Sequence, residues 1–147
     1  MLINPPRHTC SFMYSFDSLS RDITRNDTSS YILGAGPIFS KQFKSQIGKM
    51  MYSICLHDWG LPDNLLYSRL TITAFFNEDK DSITFILFTP TSENGKIPDG
   101  SVITKTVVLH GTGAYGRVNS TNTKATLWTN GDQRYVVFDP IGRSNNT

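Results

Sequence analysis

Apolar residues alternate with polar ones every second position along most of this chain, and almost nowhere recur at the helical spacing of three and four. In an extended backbone successive side chains point to opposite faces, so such a pattern describes strands with one face buried. Cys10, Phe12, Tyr14 and Phe16 fall on one face of the first strand, with Thr9, Ser11, Met13 and Ser15 on the other. Met50, Tyr52, Ile54 and Leu56 do the same within a strand predicted over Gly48–Leu56, and Leu70, Ile72 and Ala74 within Leu66–Phe76.

The remaining strands follow from turn chemistry. Asn77-Glu-Asp-Lys-Asp is a charged hairpin turn leading into Ser82–Thr89, whose Ile83-Thr-Phe-Ile-Leu-Phe run is apolar on both faces. An outward apolar face on that strand predicts contact with another copy, a homo-oligomer of two or three chains. Val102–Leu109 and Arg117–Thr129 are read as strands on either side of a glycine-rich turn. Asn130-Gly131 is the strongest hairpin signal, and Gln133–Asp139 closes the set. Tyr31–Phe39 is a weaker strand, and polar Asp17–Ser30 is read as a long loop or mobile flap. No segment offers a crossover helix, which parallel strands would need.

These strands predict one all-β domain over residues 1–147, an antiparallel up-and-down barrel of about eight strands. Closure removes the exposed edges that an open sheet would present. A β-sandwich is the alternative architecture. With 147 residues, 38% of them hydrophobic, the chain is large enough for one continuous core. A net charge of +2 with only a loose Lys41, Lys44 and Lys49 cluster argues against a nucleic-acid partner. No run reaches the roughly 20 apolar residues of a membrane helix, and the amino terminus lacks a charged leader followed by an apolar stretch. Cys10 and Cys55 are the only cysteines, and His8, His57 and His110 lie in separate segments without metal-ligand spacing. A soluble, cytoplasmic protein with neither metal nor membrane is the expectation.

The segment Gly111-Thr-Gly113-Ala-Tyr-Gly116 is not placed to hold a nucleotide, because the Thr- and Asn-rich stretch after it favours strand over helix. Glycines here fit a tight turn or bulge between strands. No Gly-x-Ser-x-Gly nucleophile motif and no carboxylate pair is apparent.

The order of the Gly48, Leu66 and Ile83 strands, followed by Val107-Val-Leu-His-Gly-Thr-Gly-Ala-Tyr-Gly-Arg-Val, resembles the allene oxide cyclase-like barrel superfamily, which shares its glycine turn with the plant dirigent proteins. Ile47-Gly48, opening a strand, adds to the likeness, which spans roughly Tyr14 to Phe138. The resemblance implies an eight-stranded, usually oligomeric barrel holding a ligand in its lumen. It also implies catalysis, where present, without metal or organic cofactor; bacterial members close rings in polyketide products. Two departures stand out. Ser15 and Asp17 occupy the positions of the plant cyclases' Glu and Asn. Ile54 stands where those enzymes carry a lumenal Cys, and Cys55 points to the opposite face. Conversion of an allene oxide is therefore not expected.

Parity supplies a lumen: Phe12, Tyr14, Phe16, Met50, Tyr52, Ile54, Leu70, Ile72 and Phe85, joined by Val118, Asn122, Thr126 and Trp128 from the long strand. Tyr14, Tyr52 and Trp128 would bring hydrogen-bonding tips into an apolar space, the arrangement expected of a catalytic donor set. The others would bind a hydrophobic, polyketide-like intermediate. The functional expectation is a cofactor-free cyclase or isomerase, with a non-catalytic, dirigent-type binding protein as the alternative. A barrel filled by its own side chains would leave room for neither.

Overall fold

The computed structural model describes residues 10–141. Ten strands are present: β1 (Cys10–Ser15), β2 (Asp22–Arg25), β3 (Ser29–Phe39), β4 (Gln46–His57), β5 (Leu66–Phe76), β6 (Asp81–Thr91), β7 (Val102–Ile103), β8 (Thr106–Thr112), β9 (Thr123–Asn130) and β10 (Gln133–Pro140). They form one sheet in the order β7-β9-β10-β1-β3-β4-β5-β6-β8, with β2 attached to β3. Every pairing is antiparallel, as short connections require. Strands β3 to β6 form a meander, β9 and β10 a hairpin, and β1 joins the two by pairing with β10 and β3.

The sheet curls until its ends nearly meet. Across the seam between β8 and β9, Thr106 Oγ1 donates to the Ala125 carbonyl at 2.8 Å. The result is a nearly closed all-β barrel of ten strands, where about eight were expected. The additions have local causes. Asp22–Arg25 is not a free flap: it pairs with Ser30–Leu33 and extends the edge of β3. Val102–Ile103 is a two-residue strip against β9. The weaker Tyr31–Phe39 strand is a full strand paired along β4.

One correction changes the interior. Arg117–Thr129 is not one strand, because residues 117–122 form turns and β9 begins only at Thr123. The buried positions of β9 are Thr123, Ala125, Leu127 and Thr129, so Thr126 and Trp128 have the outward parity. Asn122 is exposed and donates to the Arg117 carbonyl at 2.8 Å, and Val118 packs half-buried beside the core from outside any strand.

The core fills the barrel from end to end. Phe12 makes ring contacts with Tyr14, Phe76 and Phe138, at centroid distances of 6.2, 6.1 and 6.2 Å, and Phe85 meets Phe138 edge-on at 5.0 Å. At one end Tyr115 packs on Phe76 and beside Cys10. The outward residues of β6, Ile86 and Phe88, are half-buried, and Val107 and Leu109 of neighbouring β8 are exposed.

The glycine-rich segment is a turn. Gly113 takes a left-handed φ of 62°, and a Cβ there would overlap the Asp81 carboxylate and the Lys80 carbonyl. The same carboxylate accepts the Ala114 N–H at 2.9 Å. Asn130-Gly131 likewise marks a hairpin, but the connecting residues are Gly131 and Asp132, since Asn130 pairs with Gln133. Gly131, with φ of 61°, takes the first central position, as a type II′ turn demands.

A plugged barrel mouth as the candidate functional site

The opposite end of the barrel is closed by two segments that carry apolar residues inward. Phe16–Ser18 forms a single 3-10 turn after β1, and Leu19 beyond it is buried. Residues 92–97, between β6 and β7, bring Gly95 and Ile97 over Ile32 and Ile54. Small residues on β3 make the approach of the first segment possible. Leu19 lies against Gly36, the Ser20 N–H donates to the Ala35 carbonyl at 2.8 Å, and the Ala35 N–H donates to Ser20 Oγ at 2.9 Å. Tyr52 reaches across Gly34 to donate its hydroxyl hydrogen to the Ser20 carbonyl at 2.6 Å.

Beneath this plug sits Arg134, only 1% exposed on the inward face of β10. Its Nη1 donates to the carbonyls of Gly131 and Gln133 at 2.8 and 3.2 Å, and its Nη2 to Ile97 at 3.1 Å. Among the described residues no carboxylate lies within ion-pair distance of it. Asp17, Asp99 and Asp132 stand further off and raise its pKa through their fields, as does Tyr14, but desolvation by burial prevails and lowers it. Those carboxylates serve the backbone instead: Asp132 accepts from the Asp17 N–H at 3.0 Å, and Asp99 from the Gly131 N–H.

A second layer of positive charge surrounds Phe16. The guanidinium carbons of Arg21 and Arg134 lie 4.3 and 5.6 Å from its ring centroid, and the Lys96 ammonium 5.8 Å from it. Arg21 also donates to the Phe16 carbonyl at 2.8 Å. Three cations on one buried ring hold both plug segments to the barrel wall.

The two inner hydroxyls belong to Tyr14 and Tyr52. Burial raises the Tyr14 pKa, against the opposing field of Arg134. Burial also raises that of Tyr52, against the nearby Arg21. Both are therefore neutral hydrogen-bond donors at ordinary pH, beside a guanidinium that remains charged.

Between these groups lies a void of about 10 Å³, lined by Tyr14, Tyr52, Met50, Ile54, Leu70 and Arg134 among others. That is the space of one water. Ligand-sized space in the lumen, as parity and resemblance led one to expect, is not open in this conformation. Phe12, Tyr14, Phe16, Met50, Tyr52, Ile54, Leu70, Ile72 and Phe85 all lie on the inner face, and all but Phe12 and Phe85 border the void. Val118, Asn122, Thr126 and Trp128 do not join them. Trp128 is 38% exposed and packs on Tyr135 outside the barrel, with centroids 5.8 Å apart.

Sequence reasoning missed Arg134, Leu19, Ile97 and Arg21. A signal for Arg134 existed, since it shares the parity of Val136 and Phe138. No group of three or more His, Cys, Asp or Glu side chains is gathered as a metal site among the described residues. No helix there is long and apolar enough to cross a membrane.

These features define a class: a nearly closed antiparallel barrel with a plugged mouth and, beneath the plug, an arginine bonded to carbonyls with no carboxylate partner among the described residues. No protein-family model matches the chain, and no curated protein matches it by sequence. Among solved structures it is similar to pyocyanin demethylase, with a TM-score of 0.56, covering 86% of this chain and 94% of that one at 15% identity. At that identity the likeness establishes a shared barrel fold.

Proposed function

We propose that the barrel mouth binds a small hydrophobic molecule carrying an electron-rich oxygen, and that the protein is a cyclase or isomerase acting on it. The observation that carries this reading is Arg134, a buried cation satisfied by carbonyls but by no carboxylate. Burying a charge without a counter-charge is expensive, and a ligand carbonyl, phenolate or carboxylate would relieve it. Withdrawal of Leu19 and Ile97 would enlarge the void between Arg134 and the two tyrosines. Met50, Ile54, Leu70 and Ile72 would then form the apolar wall.

The chemistry available is that of fixed donors in a dry site. Arg134 and neutral Tyr14 would stabilise negative charge developing on a carbonyl oxygen, while the wall folds a flexible substrate toward a concerted ring closure. In such a closure bonds form and break within the substrate, and no proton acceptor is needed. The likeness to allene oxide cyclase-like barrels supports this reading, and so does the barrel shared with pyocyanin demethylase. The glycine turn at Gly111–Gly116, which resembles that of the dirigent proteins, favours a second reading, in which the opened mouth holds a ligand without transforming it.

Titration with 8-anilinonaphthalene-1-sulfonate, an aromatic with one anionic group, tests the site. Leu19→Ala is expected to tighten binding, and Arg134→Met and Tyr14→Phe to weaken it in folded protein. Equal affinity in all four proteins would refute the site. Incubation with lipophilic polyketide-type ketones, followed by mass spectrometry, tests the reaction. If turnover occurs, Tyr14→Phe should slow it by about 10² to 10³; binding without any product would leave the non-catalytic reading.

A further inference from the structure

A wider opening than the void beneath the plug lies on the outer face of the barrel. A groove of about 230 Å³ runs over the outer face of β1, β10 and β9, and its lining includes Met13, Tyr135, Trp128 and Lys41. Strand register explains its floor. Met13 lies opposite Tyr135, Tyr135 opposite Trp128, and Trp128 opposite Val102, so one row of outward apolar side chains crosses four strands. The Trp128 and Tyr135 rings are inclined to each other by only 32°, forming one shallow platform.

The walls have a different character. One is the turn Lys41–Phe43 after β3, where Gln42 and Phe43 adopt left-handed φ of 62° and 56° and the Gln42 N–H points to the Met13 sulfur at 3.1 Å. The other is the β9–β10 hairpin, which contributes Asn130 and Gln133. Among the described residues the side chains of Gln42, Asn130 and Gln133 make no hydrogen bond, and Lys41 makes no ion pair. Arg134 borders the groove too, but its hydrogen bonds go to carbonyls at the barrel mouth.

We infer that this groove binds a saccharide, with one pyranose ring lying on Trp128 and Tyr135. A pyranose presents an apolar face of C–H groups and a rim of hydroxyls that both donate and accept. Each carboxamide likewise offers both donors and an acceptor, so three of them match a hydroxyl rim better than any single-sign ligand would. A purely apolar ligand would strip water from four polar side chains without replacing it. At about 230 Å³ the groove is below the usual volume of enclosed ligand sites and has room for one sugar ring. Trp128, whose parity places it outside the lumen, thereby acquires a ligand of its own.

The test uses the intact protein carrying Trp59→Phe, which leaves Trp128 as its only tryptophan. Methyl β-glucopyranoside, maltose, cellobiose and N,N′-diacetylchitobiose are titrated against its fluorescence, with naphthalene-2-carboxylate as the aromatic, anionic comparison. At least one sugar is expected to saturate the signal. Binding measured by calorimetry should weaken about tenfold in Trp128→Ala and in Tyr135→Ala. Circular dichroism should show both variants folded, and anilinonaphthalene binding at the mouth should not change with them, separating this site from the proposed catalytic one. Failure of all four sugars to bind, preference for the naphthoate, or unweakened sugar binding by Trp128→Ala would overturn the inference.

Discussion

Gly34 sets how closely the Phe16–Arg21 segment lies on the sheet. Its missing side chain is where the Ser20 carbonyl and the Tyr52 hydroxyl meet, and a Cβ would overlap the first and sit 2.6 Å from the second. Both neighbours are constrained: the Ser20 backbone is bonded to Ala35, and Tyr52 is locked inside the barrel. Gly34→Ala must therefore lift the segment or tilt the ring. Overpacking of this kind costs roughly 1–3 kcal/mol. The expected result in denaturant melts is a loss in that range, with faster proteolytic cleavage between residues 16 and 21. Cleavage at the wild-type rate would mean that the segment is held mainly by the cations around Phe16.

At the scale of elements, the β5–β6 hairpin carries an avoidable conformational cost. Asn77, Glu78 and Asp79 all take left-handed φ, of 53°, 54° and 69°. Asn and Asp tolerate that region, but a longer side chain is disfavoured by about 1–2 kcal/mol. Glycine removes this penalty while adding roughly 0.5–1 kcal/mol of unfolded-chain entropy. Glu78→Gly is thus expected to stabilise by up to about 1 kcal/mol, raising the melting temperature by about 2–4 °C in a chain of this size. An unchanged melting temperature would show that Glu78 gains compensating contacts in the turn.

That hairpin and its strands were legible in the sequence because turn chemistry and two-residue periodicity agreed there. In β4 and β5 every inward residue follows from parity, since Met50, Tyr52, Ile54, Leu70 and Ile72 leave no second solution. β9 failed for a physical reason: residues 117–122 have a strand-like composition, yet Asn119 and Asn122 bond their own local backbone and make turns. Counting through them assigned Trp128 to the wrong face, although exposed Lys124 shares its parity. The plug was not legible, because Leu19 and Ile97 are single apolar residues in polar loops. Only the folded barrel gives them something to cover.

Over the whole molecule, alkaline pH should be the condition that loosens the barrel. Desolvation by burial pushes the Cys10 thiol up to about 12 from 9.0, and the Tyr115 hydroxyl up to about 12 from 10.0. Burial raises Tyr14 and Tyr52 as well. These groups hold their protons in the folded state at pH values where the unfolded chain has released them. Stability then falls with rising pH, because the unfolded state binds fewer protons than the native one. The loss should begin near pH 8, as the unfolded thiol starts to ionise, steepen through 10 as the tyrosines follow, and level off only above about 12. Arg134 has the opposite sign, since burial lowers its pKa, but its contribution falls near the upper limit of that window. Below about pH 8 none of these four acids contributes a slope. Urea midpoints measured from pH 7 to 11 should show this decline, and Tyr14→Phe should make it shallower by removing the most deeply buried of the three hydroxyls. A decline of the same steepness in Tyr14→Phe would locate the alkaline weakness at the Cys10–Tyr115 end of the barrel, and no decline by pH 11 would contradict the burial of all four groups.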